Sequence, residues 1–133
     1  MTKPLALVTG GSAGIGLEIA RLLAKDGNDL IITGLNSGVV NAADELRTFG
    51  VDVVPVQSDL STEAGNAVVL DALAATGRPL DIAVFNAGIA IGGAFIDIPL
   101  ERHLQVIALN VISPVRLAHA VIPGMIANGG GKI

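Results

Sequence analysis

Thr9-Gly10-Gly11-Ser12-Ala13-Gly14-Ile15-Gly16 is the stretch whose reading decides the fold. An apolar run, Leu5-Ala6-Leu7-Val8, leads into it, and Ile15, Ile19, Leu22 and Leu23 follow at helical spacing. A short β-type run, a glycine-rich turn and an amphipathic helix, in that order, make a pocket for a phosphate. Glycines allow φ > 0 and let backbone N–H groups come close to a ligand. The helix opening at Gly14–Gly16 adds its free N–H groups and the positive end of its dipole. A pyrophosphate is the natural guest, although a turn of this composition also serves in some chains as a turn and nothing more.

Working outward, strand and helix signals alternate along the whole chain. Leu5–Val8 reads as a first strand and Ile15–Lys25 as a first helix, closed by Asp26-Gly27-Asn28. Leu30–Thr33 is a second strand, and Val39–Phe49 a second helix ended by Gly50 in the C′ position that glycine favours. Val51–Val56 is a third strand and Thr62–Ala75 a third helix, with Ser61 as its expected N-cap and Gly77 and Pro79 as terminators. Leu80–Phe85 supplies a fourth strand, followed by the Gly- and Ala-rich segment 86–99 and a long helical stretch from Leu100 to Ala127. This alternation predicts an α/β fold, a doubly wound parallel sheet with right-handed crossovers and strand order 3-2-1-4. Gly131-Lys132-Ile133 reads as the start of a fifth strand. A four-strand sheet ending in a long helix leaves apolar edges without partners. Residues 1–133 are therefore expected to be one Rossmann-type domain, incomplete at its C-terminus and prone to homo-oligomer formation.

Composition narrows the function classes. The net charge of −4 and the absence of any Lys/Arg cluster exclude a nucleic-acid-binding surface. With no cysteine there is no disulfide or thiolate metal site, and two isolated histidines, His103 and His119, are too few for zinc. The five residues Pro4–Val8 before the glycine turn are too short for a signal-peptide core, and no apolar run is expected to span a bilayer. The expected setting is cytoplasmic, with no membrane partner. The chain also contains no tyrosine.

Ligands of such sheets lie beyond the carboxyl ends of the strands, and candidate residues stand at each of the four ends. The first end carries Gly10, Ser12, Gly14, Ile15 and Gly16. Ser12 either bonds a cofactor phosphate or ribose hydroxyl or caps the helix, and the Ile15 N–H is the best-placed donor to a pyrophosphate. After the second strand comes Gly34-Leu35-Asn36, where an Asp or Glu would hold the adenosine ribose of NAD. No carboxylate is there to repel a 2′-phosphate, so the expected cofactor is NADP or NAD, with NADP favoured.

The glycine spacing is T-G-x-x-x-G-x-G rather than G-x-G-x-x-G. It resembles the cofactor loop of the short-chain dehydrogenase/reductase family. Asp59-Leu60 after the third strand and Asn86-Ala87-Gly88 after the fourth are similar to that family's pairs at the same places, in the same order. The resemblance implies that Asp59 accepts a hydrogen bond from the adenine amino group while Leu60 packs beside the ring. It implies that Asn86 braces the sheet against the glycine loop, and that Ala87 and Gly88 leave room for a ribose. Leu35 is not the basic residue that NADP-preferring members often carry, and Phe85 stands where another Asn is frequent. A local reading also lets Asp59 start the third helix together with Ser61.

Asn110 matches the asparagine of the family's Asn-Ser-Tyr-Lys group, where it anchors a water in a proton relay. A physical reason supports it. Pro114 lies four residues on, lacks an N–H and crowds the Asn110 carbonyl, which is thereby released from the helix ladder. The alternative is a kinked helix with a buried, bonded asparagine. The implied activity is hydride transfer between a nicotinamide cofactor and a small-molecule carbonyl/alcohol substrate. The catalytic Ser and Tyr-x-x-x-Lys would follow Ile133, so these residues alone are expected to be inactive. The competing readings are a catalytically silent nucleotide-binding or self-associating module and a Rossmann-like methyltransferase, the latter weakened by the missing acidic residue at Leu35–Asn36.

Overall fold

Leu5 and Leu7 belong to one buried cluster, Ala6 and Val8 to another. A strand apolar and buried on both faces has to lie inside a sheet covered by helices on both sides. The computed structural model describes residues 2–133 and shows that arrangement. Strands β1 (Leu5–Val8), β2 (Asp29–Gly34), β3 (Val53–Gln57) and β4 (Ile82–Val84) form a parallel sheet in the order β3-β2-β1-β4. This is the predicted order.

Helices α1 (Gly14–Lys25) and α2 (Gly38–Arg47) cover one face, packing Ala20, Ala24, Val39, Ala43 and Leu46 against Ala6, Val8, Leu30 and Ile32. The other face is covered by α3 (Glu63–Ala75) and α5 (Ser113–Ala127) through Val69, Leu117, Val121 and Met125. Each fully buried Leu or Ile contributes about 1.5–3 kcal/mol. Pro55 sits within β3, which tolerates it because β3 is the edge of the sheet.

Two boundaries differ from expectation for identifiable reasons. The N-cap of α3 is Thr62, whose Oγ1 accepts from Gly65 N–H at 2.9 Å, while Ser61 turns back to Asp59. Helix α2 stops at Arg47, two residues short of the apolar pattern, and Gly50 takes φ +82 just beyond its end.

The stretch 100–127 is divided. Helix α4 (Leu100–Ile107) passes into a π turn over Ala108–Ile112 before α5 begins. Taken together, Leu100–Ala127 is long and apolar enough, by length and composition, to cross a membrane. The expectation that no apolar run reaches that length is corrected here, and Leu117, Val121 and Met125 of the same stretch are buried in the domain core. Beyond it, Lys132 pairs with β4: its carbonyl accepts from Ala83 N–H at 2.9 Å, and its N–H donates to Asp81 at 3.0 Å.

The amino ends of the strands are tied by charge. Buried Asp29 accepts from Arg78 Nη1 at 2.8 Å and from Asp52 N–H at 2.8 Å, and Asp81 accepts from Leu5 N–H at 2.8 Å. Burial pushes the Asp29 carboxyl up, but the Asp52 N–H, the Arg78 guanidinium and the Lys3 charge outweigh it and hold it below its ordinary value. A carboxyl depressed in the folded state contributes stability that is complete above its unfolded pKa and is lost as pH falls through the folded one. Asp29→Ala should therefore lower unfolding stability at neutral pH by about 1–3 kcal/mol. It should also flatten the acid limb of the stability–pH curve below about pH 4, where the ordinary carboxylate titrates. Urea titrations at a series of pH values check both.

Candidate functional site

The tips of all four strands open into one cleft of about 260 Å³, lined among others by Gly10, Gly34, Leu35, Asp59, Leu60, Ala87 and Gly88. The glycine turn enters it from β1. Gly10 and Gly14 have positive φ, +63 and +54, so both need glycine's backbone freedom. Gly16 answers a different need. A Cβ there would collide with the Gly10 carbonyl and the Asn86 Nδ2, so the first turn of α1 sits directly on the turn that precedes it.

That turn is fastened from both sides. Thr33 of β2 accepts from Gly10 N–H through Oγ1 at 3.0 Å and from Gly11 N–H through its carbonyl at 2.9 Å. From β4, Asn86 Nδ2 donates to the Thr9 and Gly10 carbonyls, each at 3.2 Å. Thr9 Oγ1 accepts from both Asn86 and Ala87 N–H at 3.0 Å. Asn86 thereby ties the end of β4 to the glycine turn.

Helix α1 begins after Ala13 with no side-chain cap, so Ser12 is not its cap. Ser12 instead stands over Gly34, where a Cβ would come within 2.7 Å of its Oγ. Nothing lies within 4 Å of the position a Gly14 side chain would take, and Ile15 is 75% exposed. The start of α1 thus borders free space at Gly14 and Ile15, while Gly16 is packed against the turn.

At the β2 tip, Leu35 is exposed, and Asn36 Oδ1 accepts from Gly38 N–H at 2.9 Å at the start of α2. At the β3 tip, Asp59 Oδ1 accepts from Ser61 N–H at 2.9 Å and from Ser61 Oγ at 2.6 Å, so Asp59 takes part in the turn before α3 and also lines the cleft. Leu60 is buried beneath it.

Asn110 lies in the π turn, against Gly88 and Ile89 of the segment after β4. Its Oδ1 accepts from Ile89 N–H at 2.9 Å and its Nδ2 donates to the Ile89 carbonyl at 2.7 Å. The side chain is bonded, as the structural alternative required, but exposed instead of buried. Ser113 N–H reaches the Ala108 carbonyl five residues back. That wider turn is how the helix accommodates Pro114, which has no N–H to offer the Asn110 carbonyl.

Thr33, Ser58, Ile89, Gln105 and Leu109 also line the cleft and were not anticipated. Thr33 and Ser58 each stand one residue before a predicted site segment, which is a usable signal. Gln105 and Leu109 come from a helix whose approach to the strand tips no local pattern announces. His103 stacks on Phe95 at 4.4 Å and its Nε2 lies 2.9 Å from the Phe95 carbonyl. No cluster of three or more His, Asp or Glu that could hold a metal is present among the described residues.

Comparison with known proteins agrees with this geometry. The family described as short chain dehydrogenase matches residues 4–133. Oxidoreductase UcpA of Salmonella typhimurium is 36% identical over 134 residues, covering 100% of this chain and 51% of that protein. The crystal structure of L-sorbose reductase from Gluconobacter frateurii, complexed with NADPH and L-sorbose, superposes with a TM-score of 0.93 at 34% identity, over 98% of this chain and 51% of that one. A short-chain dehydrogenase from Sphingobium yanoikuyae in complex with NADPH gives 0.89 at 35% identity, over 96% and 51%. The chain spans about half the length of the curated relatives it matches.

Gly16→Ala is expected to cost more stability than Asn86→Ala. The first forces backbone apart, an overpacking of about 1–3 kcal/mol or more. The second removes hydrogen bonds of about 0.5–1.5 kcal/mol each. Equal denaturation midpoints for wild type and Gly16→Ala would contradict the close contact.

Proposed function

The chain belongs to the short-chain dehydrogenase family, and from that premise we propose that its protein is an NAD(P)-dependent oxidoreductase acting on a small carbonyl or alcohol. In this reading the 133 residues are its cofactor-binding half. The observation that carries it is the cleft crossing all four strand tips, which the glycine turn enters through Gly10, with the uncapped amino end of α1 following that turn and open to space at Gly14.

The donors suit an adenine dinucleotide. Backbone N–H groups at Gly14–Gly16, with the helix dipole behind them, hold the diphosphate. Leu35 and Asn36 face the adenosine ribose, and the absence of a carboxylate there favours NADP. The NADPH carried by the L-sorbose reductase and Sphingobium structures supports the same choice. Asp59 accepts from the adenine amino group, Leu60 packs beside the ring, and Ala87 and Gly88 leave the close approach that a ribose needs. When bound, the nicotinamide supplies the hydride. Pro114 offers the Asn110 carbonyl no N–H, and that carbonyl is the water-anchoring group of the reading. With no tyrosine among these residues, proton transfer to a substrate oxygen is assigned to groups other than theirs.

A second reading is a silent nucleotide-binding module acting through association. Leu104, Val111 and Val115, exposed along one long helical stretch, favour self-association in either case. Titrating the chain with NADPH, NADH and S-adenosylmethionine separates the readings. NADPH is expected to bind severalfold more tightly than NADH, and S-adenosylmethionine not to bind. Carbonyl reduction should stay at the no-protein control. Tighter binding of S-adenosylmethionine than of either nicotinamide would overturn the proposal.

A further inference from the structure

Among the described residues five polar side chains line the cleft, and their hydrogen bonds decide what each has left to offer. Thr33 is 2% exposed, with its Oγ1 held by the Gly10 N–H. Ser58 donates its proton to the Gly65 carbonyl at 2.5 Å, and Ser61 donates its own to Asp59 Oδ1 at 2.6 Å. Asp59 Oδ1 also takes the Ser61 N–H, which leaves Oδ2 as an open acceptor. Gln105 is the one carboxamide of the set, half-buried on α4, and its Oε1 accepts from Arg102 Nη1.

That last contact fixes the sense of the amide. A guanidinium has donors and no acceptor, so the end of the carboxamide facing Arg102 has to be its oxygen. Arg102, Gln105 and Leu109 follow one another at helical spacing, and the latter two line the cleft. Arg102 stands exposed one turn before them. With Oε1 turned to Arg102, Gln105 has its Nε2 N–H groups left to give.

The cleft therefore presents an open carboxylate acceptor from the β3 tip and an open amide donor from α4. At about 260 Å³ it has room for a base rather than a whole dinucleotide. On its Watson–Crick edge adenine sets a donor, the 6-amino group, beside an acceptor, N1. Hypoxanthine has the same outline with the order reversed, an O6 acceptor beside an N1–H donor. Asp59 Oδ2 with Gln105 Nε2 matches the first and opposes the second at both atoms. We infer that Gln105 is a specificity-determining residue for the base: its Nε2 donates to adenine N1 beside the amino group that Asp59 accepts. Arg102 is then a positioning residue that holds the amide in that sense. The inference rests on the dinucleotide reading above and adds two residues to it.

Calorimetric titration of the chain with NADPH and with reduced nicotinamide hypoxanthine dinucleotide phosphate tests it. Wild type is expected to bind NADPH at least about tenfold more tightly than the hypoxanthine analogue. Gln105→Glu puts an acceptor where the donor was, so it should cut that preference at least about tenfold, through weaker NADPH binding. Its added charge acts on both ligands alike, and the ratio of the two affinities is free of it. Arg102→Leu lets the amide turn over and should lower the preference about threefold, while Arg102→Lys, still a donor without acceptors, should keep it. Both Arg102 variants change an exposed side chain and are expected to match the wild-type thermal midpoint, so they keep the test alive should Gln105→Glu not fold. Equal wild-type affinities, or a preference that survives Gln105→Glu, overturns the inference. A preference lost in Gln105→Glu and unchanged in Arg102→Leu overturns the positioning role alone. A wild-type chain that binds neither dinucleotide is a different failure, that of the proposed function, and takes this inference with it.

Discussion

Much of this structure depends on one place where two pieces of backbone touch. The first turn of α1 lies so close to Gly10 that residue 16 has no room for a side chain, and Asn86 fills the remaining space with an amide that bonds two carbonyls of the turn. The contact is steric and polar at once. Without a Cβ, α1 can approach the end of β1, and the Asn86 amide then makes that approach the satisfied one. Thr9 and Thr33 repeat the device from either side, each hydroxyl accepting from backbone N–H groups of a neighbouring segment. The aim of the α1 amino end over the strand tips is thus set by three strands together, not by the turn alone.

That dependence explains which features were legible in the sequence. Order and type of the elements were readable because the apolar runs of β1 and β2 and the helix stripes of α1 and α2 are strong local patterns, and the parallel order follows from their alternation. Segments at the strand ends were readable for the same reason: Gly10, Asp59, Leu60, Ala87 and Gly88 reach the cleft because topology carries every strand end there. Contacts between segments distant in sequence were not. Nothing near Asn66 says that its partner is Ser113, 47 residues away, and nothing near Gln105 says that it lines the cleft. The caps failed for a narrower reason. Ser61 and Thr62 are both good cap residues, and the choice between them was made by Asp59, which draws Ser61 back into its own turn.

The stretch 100–127 shows how a single residue can redirect a long element without ending it. Proline within a helix removes one donor and crowds the carbonyl four residues earlier, which ordinarily kinks or stops the helix. Here the ladder widens for one turn instead, with Ser113 bonding five residues back, and α5 continues to Ala127. The wider turn turns the Asn110 side chain toward the Ile89 backbone, where it makes two reciprocal bonds. The stretch therefore couples the core face through Leu117, Val121 and Met125 to the cleft through Gln105 and Leu109.

The polar side chains at the β2 and β3 tips share a further property. Asn36 and Asp59 are both exposed, yet each already has one oxygen tied to a backbone N–H two residues on. Such local turns fix the rotamer before any ligand arrives, so little side-chain entropy remains to be lost on binding. They also decide polarity. With its oxygen engaged by Gly38, Asn36 has its amide N–H groups left to offer, and a donor at the β2 tip suits a ribose hydroxyl or phosphate oxygen. Asp59 keeps its second carboxylate oxygen, and an acceptor at the β3 tip suits an exocyclic amino group. The cleft is lined by neither lysine nor arginine. In the proposed reading, selectivity for a dinucleotide comes from this ordered alternation of donors and acceptors, with the charge of the diphosphate met by the backbone of α1.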